Sequence, residues 1–276
     1  MFNNRTGNQT SSRFAGAPVT KWLLICNVAI YVLDIFGVGA NSFRLRPYGA
    51  FEITACFDLH QYWRLLSFQF LHGSPMHLLF NMYAIYMFGG MVERVLGSKR
   101  FSAYYLLCGV GGALFYSLLA VSGWLEVNGL VGASAGIFGI LVALIVIAPD
   151  MQVMLLFPPI PMKMKTFGIF ILGIGIYTVL TTGNNAGGEA GHLGGALLGF
   201  VLMKNPKWLN WVDGLDVKRV TAHGPKTHYQ PKIRPRTAVN MESSEVDRIL
   251  DKVTQNGIHS LSEEERATLL RISKKD

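Results

Sequence analysis

Two side chains with the chemistry of a hydrolase lie in otherwise apolar stretches of this sequence. Ser134 stands in the run GASAG at 132–136, and His192 stands in the run GHLGG at 191–195. A serine hydroxyl becomes a useful nucleophile only when a base accepts its proton, and a neutral imidazole titrates near working pH. The pair therefore predicts acyl transfer, with Ser134 as the nucleophile and His192 as the general base.

Three donors are predicted to stabilise the oxyanion that such a reaction forms. His77 and Asn81 are four residues apart, so on a helix they face the same way. The backbone N–H of Ser134 lies at a predicted helix start, where it has no partner within the helix. Donors that are fixed before the reaction are what an oxyanion requires.

Gly132 and Phe138 are expected to support this pair. Gly132 belongs to the loop-to-helix turn before Ser134, and Phe138 lies one turn after it on the same face, where its ring could pack against His192. No aspartate or glutamate is well placed as a third member, because Glu189 is assigned to the loop that precedes the last apolar segment. The simpler prediction is a Ser–His dyad.

Each of these residues also has an ordinary structural interpretation. A serine between small residues in an apolar helix is typical of close helix packing. A lone histidine at a helix end is typical of a capping or interfacial residue. Polar groups inside membrane helices are costly, however, so several of them at one depth favour a functional site.

The elements that must position these residues are long apolar segments. The chain is 50% hydrophobic and 15% charged, whereas soluble domains are about 25% charged. The net charge of +8 does not indicate nucleic-acid binding, because the basic residues flank apolar segments or lie in the tail. A spanning helix needs about 20 mostly apolar residues. Six segments qualify, some of them short: 22–38, 77–96, 101–122, 134–148, 167–182 and 190–203.

Lysine and arginine near the segment ends predict the orientation. The inner turns carry basic residues when the N-terminus is cytoplasmic, whereas two of the three outer loops carry none. The four polar residues of the predicted site then share one depth near the outer face. The remaining outer loop, 39–76, is long and aromatic, and we expect it to lie in the membrane interface.

The fourth segment is too short to cross a bilayer. Residues 134–148 span roughly 22 Å at 1.5 Å per residue, less than the ~30 Å hydrocarbon core. The Ser134 end of this segment is therefore expected to lie below the outer surface, in a recess that water can enter. Peptide hydrolysis inside a membrane needs such a recess.

Short motifs occur in a fixed order across residues 20–204, about two thirds of the chain. They are Trp63-Arg64, His72, HLLFN at 77–81, GGMVE at 89–93 followed by Gly97, GASAG at 132–136, and GHLGG at 191–195 followed by Gly199. Together and in this order, they resemble the motifs of the rhomboid intramembrane serine proteases. Any one motif alone would be unspecific, but the set is specific.

The resemblance implies a six-helix membrane core that cleaves single-pass membrane proteins near their outer ends through an acyl-enzyme. It implies that Ser134 is the nucleophile and His192 the base, and that His77 and Asn81 help to hold the oxyanion. Structural positions of the family are matched by Trp63, Arg64 and Glu93. The glutamate is expected to stay buried near the inner end of the second segment and to tie down a loop by hydrogen bonds.

The predicted fold is an all-α membrane protein, a six-helix rhomboid-type bundle with a small cytoplasmic helical hairpin as its tail. Its parts are an N-terminal cytoplasmic segment 1–20, a membrane domain 21–204 with the outer loop 39–76, a basic Pro-containing linker 205–241 and a two-helix tail 242–276. In the tail, Ser262 and Glu265 match a capping box. A hairpin this small has little core of its own, so it is expected to pack on a cytoplasmic partner, a second copy or the linker.

Three functions are compatible with these features. The chain is an active intramembrane protease, a catalytically silent rhomboid-like protein that binds or escorts membrane proteins, or a membrane anchor for its tail. We expect the first, because Ser134 and His192 are both present. The expected partners are single-pass membrane substrates and the lipid bilayer, with no nucleic acid, cofactor or metal. The expected location is a bacterial plasma (inner) membrane, with both termini in the cytoplasm.

Overall fold

The computed structural model describes residues 14–37, 44–155, 159–214, 248–249, 251–253 and 258–267. The chain divides into two units, Met1–Lys218 and Arg219–Asp276. The first unit contains the predicted membrane domain and the second contains the predicted tail. Most of the predicted N-terminal segment and of the predicted linker lie outside the described residues.

The first unit is mostly helical. Its α-helices are α1 (Pro18–Phe36), α2 (Arg46–Gly49), α3 (Arg64–Ser67), α4 (Pro75–Ala84), α5 (Gly90–Leu96), α6 (Ser98–Val121), α7 (Ser134–Ile147), α8 (Met164–Leu180) and α9 (Ala186–Lys204). Helices α4 and α5 are joined without a break by the π-helical residues Ile85–Gly89, so they form one long element. Shorter stretches are the π-helical Thr54–Asp58 and the 3-10 helices Phe68–Phe70 and Pro206–Val212.

The six predicted apolar segments each overlap one of the long helical elements, but their ends differ. The last helix begins at Ala186 rather than at 190, and α4 begins at Pro75 rather than at 77. The all-α prediction also missed a hairpin. Strands β1 (Gln152–Met154) and β2 (Pro161–Lys163) pair antiparallel between α7 and α8. Three-residue strands have no alternation long enough to be recognised in a sequence.

Helices α6, α7 and α9 pack against one another in the first unit. Their backbones approach closely because glycines face the contacts. A Cβ at Gly195 of α9 would collide with the backbone of Ala135 in α7, and one at Gly199 would lie 2.8 Å from the Tyr104 hydroxyl of α6. Such contacts through small residues are typical of helices in lipid, where no hydrophobic effect drives helices together.

Helix α1 turns polar side chains inward and apolar side chains outward. Thr20, Asn27 and Asp34 belong to its buried stripe, at helical spacing. Exposed apolar residues of the same helix are Trp22, Ile25, Val28, Val32 and Leu33. This inverts the pattern of a helix at the surface of a soluble protein and favours an apolar surrounding.

By length and mean hydropathy, two helices in the described part of the chain qualify as candidate membrane spans. They are α1 and α6, each with a mean hydropathy of 1.7. The apolar helices α7 and α8 are shorter, with 14 and 17 residues. Helix α7 is about 21 Å long at 1.5 Å per residue, against ~30 Å of hydrocarbon. A bilayer of ordinary thickness would therefore extend beyond α7.

The loop between α1 and α4, described over residues 44–74, packs partly into the protein. Phe51 and Phe68 are almost fully buried, and the backbone of Phe51 pairs with Leu130 in an isolated β-bridge. Tyr62 and Trp63 are exposed. The buried pair packs inside the protein, and the placement of the loop in the membrane interface stays a prediction. Their burial joins the loop to the segment that precedes α7.

The 3-10 helix Pro206–Val212 falls within the predicted linker, yet it is part of the first unit. Its Leu209 and Val212 are buried in the same hydrophobic cluster as residues of α6 and α7. Next to it, Asp213 forms an ion pair with Arg100 of α6. The structured region therefore extends beyond the predicted boundary at 204.

The second unit contains the predicted capping box. The Ser262 N–H donates to the Glu265 carboxylate at 2.9 Å, and the Glu265 N–H donates to the Ser262 hydroxyl at 3.3 Å. Lys252 also pairs with Glu265. The two-helix form of the tail remains a prediction, because residues 242–247 and 268–276 lie outside the described residues.

Candidate active site

A cavity of about 1060 Å³ lies between α4 and α5 on one side and α7 and α8 on the other. Ser134, His192, His77 and Asn81 line one part of it. The rest of the wall is mostly apolar, with side chains such as Phe80, Met87, Met91, Leu141 and Phe167. The structure thus brings the four predicted polar residues together from α4, α7 and α9. Among the described residues, no group of three or more His, Cys, Asp or Glu could hold a metal ion.

Ser134 is the first residue of α7. The Ile137 N–H donates to the Ala133 carbonyl as the helix begins, so the N–H groups of residues 134–136 have no acceptor within the helix. Gly132, two residues earlier, has a φ of +130°, a conformation that L side chains rarely adopt. The chain therefore turns sharply into α7, and in the described part of the chain the Ser134 N–H has no backbone acceptor.

His77 and Asn81 lie in the first two turns of α4, which Ser74 caps by accepting a hydrogen bond from the His77 N–H at 3.2 Å. In the described part of the chain, the Nδ2 of Asn81 is buried without a hydrogen-bond partner. A Cβ at Gly132 would lie 2.7 Å from the Nε2 of His77 and 3.6 Å from the Nδ2 of Asn81. Both side chains therefore face the turn before Ser134. An unsatisfied buried donor in this place suits an oxyanion.

The imidazole of His192 stacks on the ring of Phe138. The two ring centroids are 4.3 Å apart and the planes are 10° from parallel, so the predicted packing is confirmed. Within the described residues, His192 has a hydrogen bond to Glu189 and none to Ser134. Contacts between base and nucleophile are often long without substrate and tighten in the complex.

The structure corrects the prediction for Glu189, which was assigned to the outer loop 183–189 with no acidic partner for His192. Helix α9 already begins at Ala186, so Glu189 lies one turn before His192. Its Oε2 is 3.1 Å from the Nδ1 of His192. The helix follows Asn185, which has a left-handed backbone with φ 65°, and its Gly187 packs against Tyr116 of α6. The sequence signal that could have found this contact is the i, i+3 spacing of the two residues.

Trp63 and Arg64 hold the loop before α4 and do not line the cavity. Arg64 is buried and donates to the carbonyls of Pro47 and Ala50 at 2.8 and 2.5 Å. Trp63 is exposed, and its indole N–H donates to the carbonyl of Tyr48 at 3.0 Å. Their contacts are those of structural residues, in agreement with the resemblance.

Glu93 is completely buried at the end of the element that begins with α4. Its carboxylate accepts from the Val19 N–H at 2.9 Å, from the Thr20 N–H and hydroxyl at 2.7 Å each, and from the Ser98 hydroxyl at 2.7 Å. The prediction of a buried, hydrogen-bonded glutamate is confirmed. It ties together the starts of α1 and α6 rather than a loop, and its charge suits the N-terminus of α1.

Residues 59–204 match a family model described as the Rhomboid domain. The match covers more than half of the chain and includes all four polar residues of the cavity. Because the matched family consists of membrane proteins, this protein is a multi-pass membrane protein. The chain belongs to the rhomboid family.

Three relatives show the scale of the similarity. RHOMBOID-like protein 4 of Arabidopsis thaliana is 30% identical over 186 residues, which cover 66% of this chain and 45% of that protein. Rhomboid protease GluP of Bacillus subtilis (strain 168) is 31% identical over 192 residues, 67% of this chain and 34% of that protein. Rhomboid protease AarA of Providencia stuartii is 27% identical over 213 residues, 70% and 75% of the two chains. The chain therefore spans less than half the length of the first two. Two of these three relatives are named as rhomboid proteases.

Residues 238–275 match a second model, described as a family of unknown function (DUF6576). This match covers most of the predicted tail, 242–276, and the last four residues of the predicted linker. Its description assigns no activity to the tail.

Proposed function

We propose that this protein is an intramembrane serine endopeptidase that cleaves transmembrane segments of single-pass membrane proteins near the outer face. The observation that carries the proposal is the cavity that unites Ser134, His192, His77 and Asn81 within an otherwise mostly apolar wall. Such a wall suits an apolar substrate segment, and the polar groups suit its orientation and hydrolysis. The relatives named as rhomboid proteases support the same reaction.

Acylation uses a dyad and three donors. His192 accepts the hydroxyl proton while the Oγ of Ser134 attacks the carbonyl carbon of the scissile peptide bond, whose oxygen becomes an oxyanion. The Ser134 N–H, the Asn81 amide and the His77 side chain donate hydrogen bonds to that oxygen. His192 then gives the proton to the leaving amine, the C–N bond breaks, and an acyl ester remains on Ser134.

Deacylation repeats the steps with water. His192 accepts a proton from a water molecule, whose oxygen attacks the ester carbon, and the same donors hold the second oxyanion. Collapse of this intermediate breaks the bond to Ser134, and His192 returns the proton to the Oγ. Water reaches the site because α7 is shorter than the bilayer is thick, so that its first residue lies in a recess.

The proposal includes a membrane arrangement. Six elements lie within the bilayer: α1, α4 with α5, α6, α7, α8 and α9. Both termini lie in the cytoplasm, since lysine and arginine are concentrated at the inner turns. The membrane in this proposal is the plasma (inner) membrane of a bacterial cell. The tail then faces the cytoplasm, where it contacts a partner or a second copy.

The deciding experiment compares two serine substitutions. Ser134→Ala is expected to lower cleavage of a model single-pass substrate by about 10⁴-fold or more and to abolish labelling by a fluorophosphonate, with thermal unfolding unchanged. Ser117→Ala is the matched control, because the Ser117 hydroxyl is buried in α6 and donates to Ala113 at 2.8 Å, away from the cavity. Cleavage retained by Ser134→Ala would refute the proposal. A wild type that binds substrates but takes no label would favour a catalytically silent binding or escort protein.

A further inference from the structure

Glu189 contacts the imidazole of His192 from the preceding turn of α9. The two side chains are three residues apart and share a helix face, and the Glu189 Oε2 is 3.1 Å from the His192 Nδ1. Only 21% of the glutamate side chain and 17% of the histidine side chain are exposed. Solvent and salt therefore screen this pair less than they screen a surface pair.

A second helix, α8, also contributes to the site in which the Glu189 carboxylate lies. A Cβ at Gly175 of α8 would lie 3.0 Å from the Glu189 Oε2, so the missing side chain leaves room for the carboxylate. At Gly173 of the same helix, a Cβ would meet nothing within 4 Å. The close approach of the Glu189 carboxylate therefore favours glycine at 175, and no comparable contact favours glycine at 173.

The contact decides which nitrogen of the imidazole can act as a base. An ionised carboxylate only accepts hydrogen bonds, so the Nδ1 that faces Glu189 carries the proton of the neutral ring and the Nε2 keeps its lone pair. This assignment follows from the hydrogen-bond geometry. Phe138 stacks on the ring and holds its plane. Together the two contacts leave the Nε2 as the nitrogen that accepts the Ser134 proton.

We propose that Glu189 is a positioning residue that supports the Ser134–His192 dyad through its contact with the imidazole of His192. The proposal rests on the protease function proposed above. Glu189 holds the tautomer that can accept the serine proton, and its negative charge stabilises the imidazolium that forms when the proton arrives. The proton stays on His192 until it passes to the leaving group, so Glu189 acts only through the imidazole.

A simpler role for Glu189 would be to stabilise α9. It lies in the first turn of that helix, where a negative charge interacts favourably with the helix dipole. A stabilising role alone would lower the unfolding midpoint of its variants and leave the turnover of the folded enzyme unchanged. A positioning role lowers kcat and leaves KM unchanged, because the substrate-binding wall is not touched.

The first arm of the test replaces the carboxylate in the full-length protein, reconstituted in liposomes with a model single-pass substrate. Glu189→Gln is expected to lower kcat about 10- to 100-fold, a fraction of what general base catalysis contributes, with KM unchanged. Glu189→Asp restores a carboxylate one methylene shorter and is expected to recover part of the loss. Glu126→Gln removes an exposed carboxylate between α6 and α7 and is the control, with wild-type kcat.

The second arm displaces the carboxylate without removing its charge. Gly175→Ala places a methyl group 3.0 Å from the resting position of Oε2, so kcat is expected to fall several-fold. The same substitution in the Glu189→Gln protein should cause little further loss, because both changes act on one contact. Gly173→Ala is the matched control on α8 and should leave kcat unchanged.

The outcomes separate the two proposals. A Glu189→Gln protein with wild-type kcat, beside an inactive Ser134→Ala protein, overturns the positioning role and leaves the protease intact. A lower unfolding midpoint with unchanged kcat makes Glu189 a helix-stabilising residue and also overturns it. Full cleavage by Ser134→Ala overturns the serine-protease assignment on which the positioning role rests.

Discussion

Gly132→Ala tests whether the turn before Ser134 and the side chains of α4 form one oxyanion site. Gly132 has a φ of +130°, and an L side chain in such a region costs about 1–3 kcal/mol. Its Cβ would also lie 2.7 Å from the Cε1 and Nε2 of His77, about 1 Å inside the ~3.5–4.0 Å of ordinary contact. The turn or the ring must move by that amount. The Ser134 N–H and the donors of α4 would then no longer meet at one oxygen.

We expect kcat to fall about 10²–10³-fold, which is the usual effect of losing one oxyanion donor. KM should change little, because the apolar wall is untouched, and the free energy of unfolding should fall by about 1–3 kcal/mol. The assay is steady-state cleavage of a single-pass reporter in liposomes, with thermal unfolding measured on the same samples. Gly123→Ala is the control, because Gly123 has a φ of +79° and its Cβ would meet nothing within 4 Å. It introduces backbone strain without the contact to His77.

A second substitution separates strain from misplacement. His77→Ala removes the ring that the new Cβ would strike, so in the Gly132→Ala protein it should restore part of the lost stability. The rate should stay low, because a donor has been removed. Wild-type kcat in Gly132→Ala, or an equal loss in Gly123→Ala, would show that the close approach of Gly132 and His77 does not shape the site.

Two further predictions concern residues that hold the framework. Glu93→Ala leaves the N–H groups of Val19 and Thr20 without their acceptor, so thermal unfolding in detergent should show a loss of about 3 kcal/mol, while the folded fraction still takes a fluorophosphonate. The hydrogen bond from Arg100 holds the pKa of Asp213 below its usual value of 3.8. The ion pair therefore stabilises the fold above pH 3.8, and this stabilisation is lost as the pH falls through the lowered pKa. The unfolding midpoint of Asp213→Asn should therefore lie below that of the wild type near neutral pH and meet it in acid, and 1 M salt should remove the difference.

The members of the polar site could be predicted because residue type and spacing carry the information. His77 and Asn81 at i, i+4 must share a face if they lie on a helix, and the run before Ser134 could be recognised as a loop-to-helix turn. Helix length follows from residue count, so the short α7 was visible before any packing was known. These are local properties, and the structure retains them.

The contact of Glu189 could not be predicted in the same way, since it depends on where α9 begins. The run NAGGEAG at 185–191 has low helix propensity, because each glycine costs about 1 kcal/mol relative to alanine. Packing overrides that cost: a Cβ at Gly187 would lie 3.1 Å from the ring of Tyr116 in α6, so a small residue is favoured there. The burial of Phe51 likewise depends on a partner far along the chain, Leu130. Such contacts are tertiary, and no local pattern reports them.

Asn81 and Glu93 show how one long element serves both the fold and the chemistry. Both are buried and polar, yet every hydrogen bond described for Glu93 joins it to α1 or α6, whereas the Nδ2 of Asn81 has no partner among the described residues. An unpaired buried donor costs about 1–3 kcal/mol. A donor already satisfied in the resting enzyme would lose that hydrogen bond on binding the oxyanion and would therefore raise kcat less. The hydrogen-bonded carboxylate of Glu93 holds the long element in place. The Asn81 amide is thereby fixed where it can donate to the oxyanion, which exists only during the reaction.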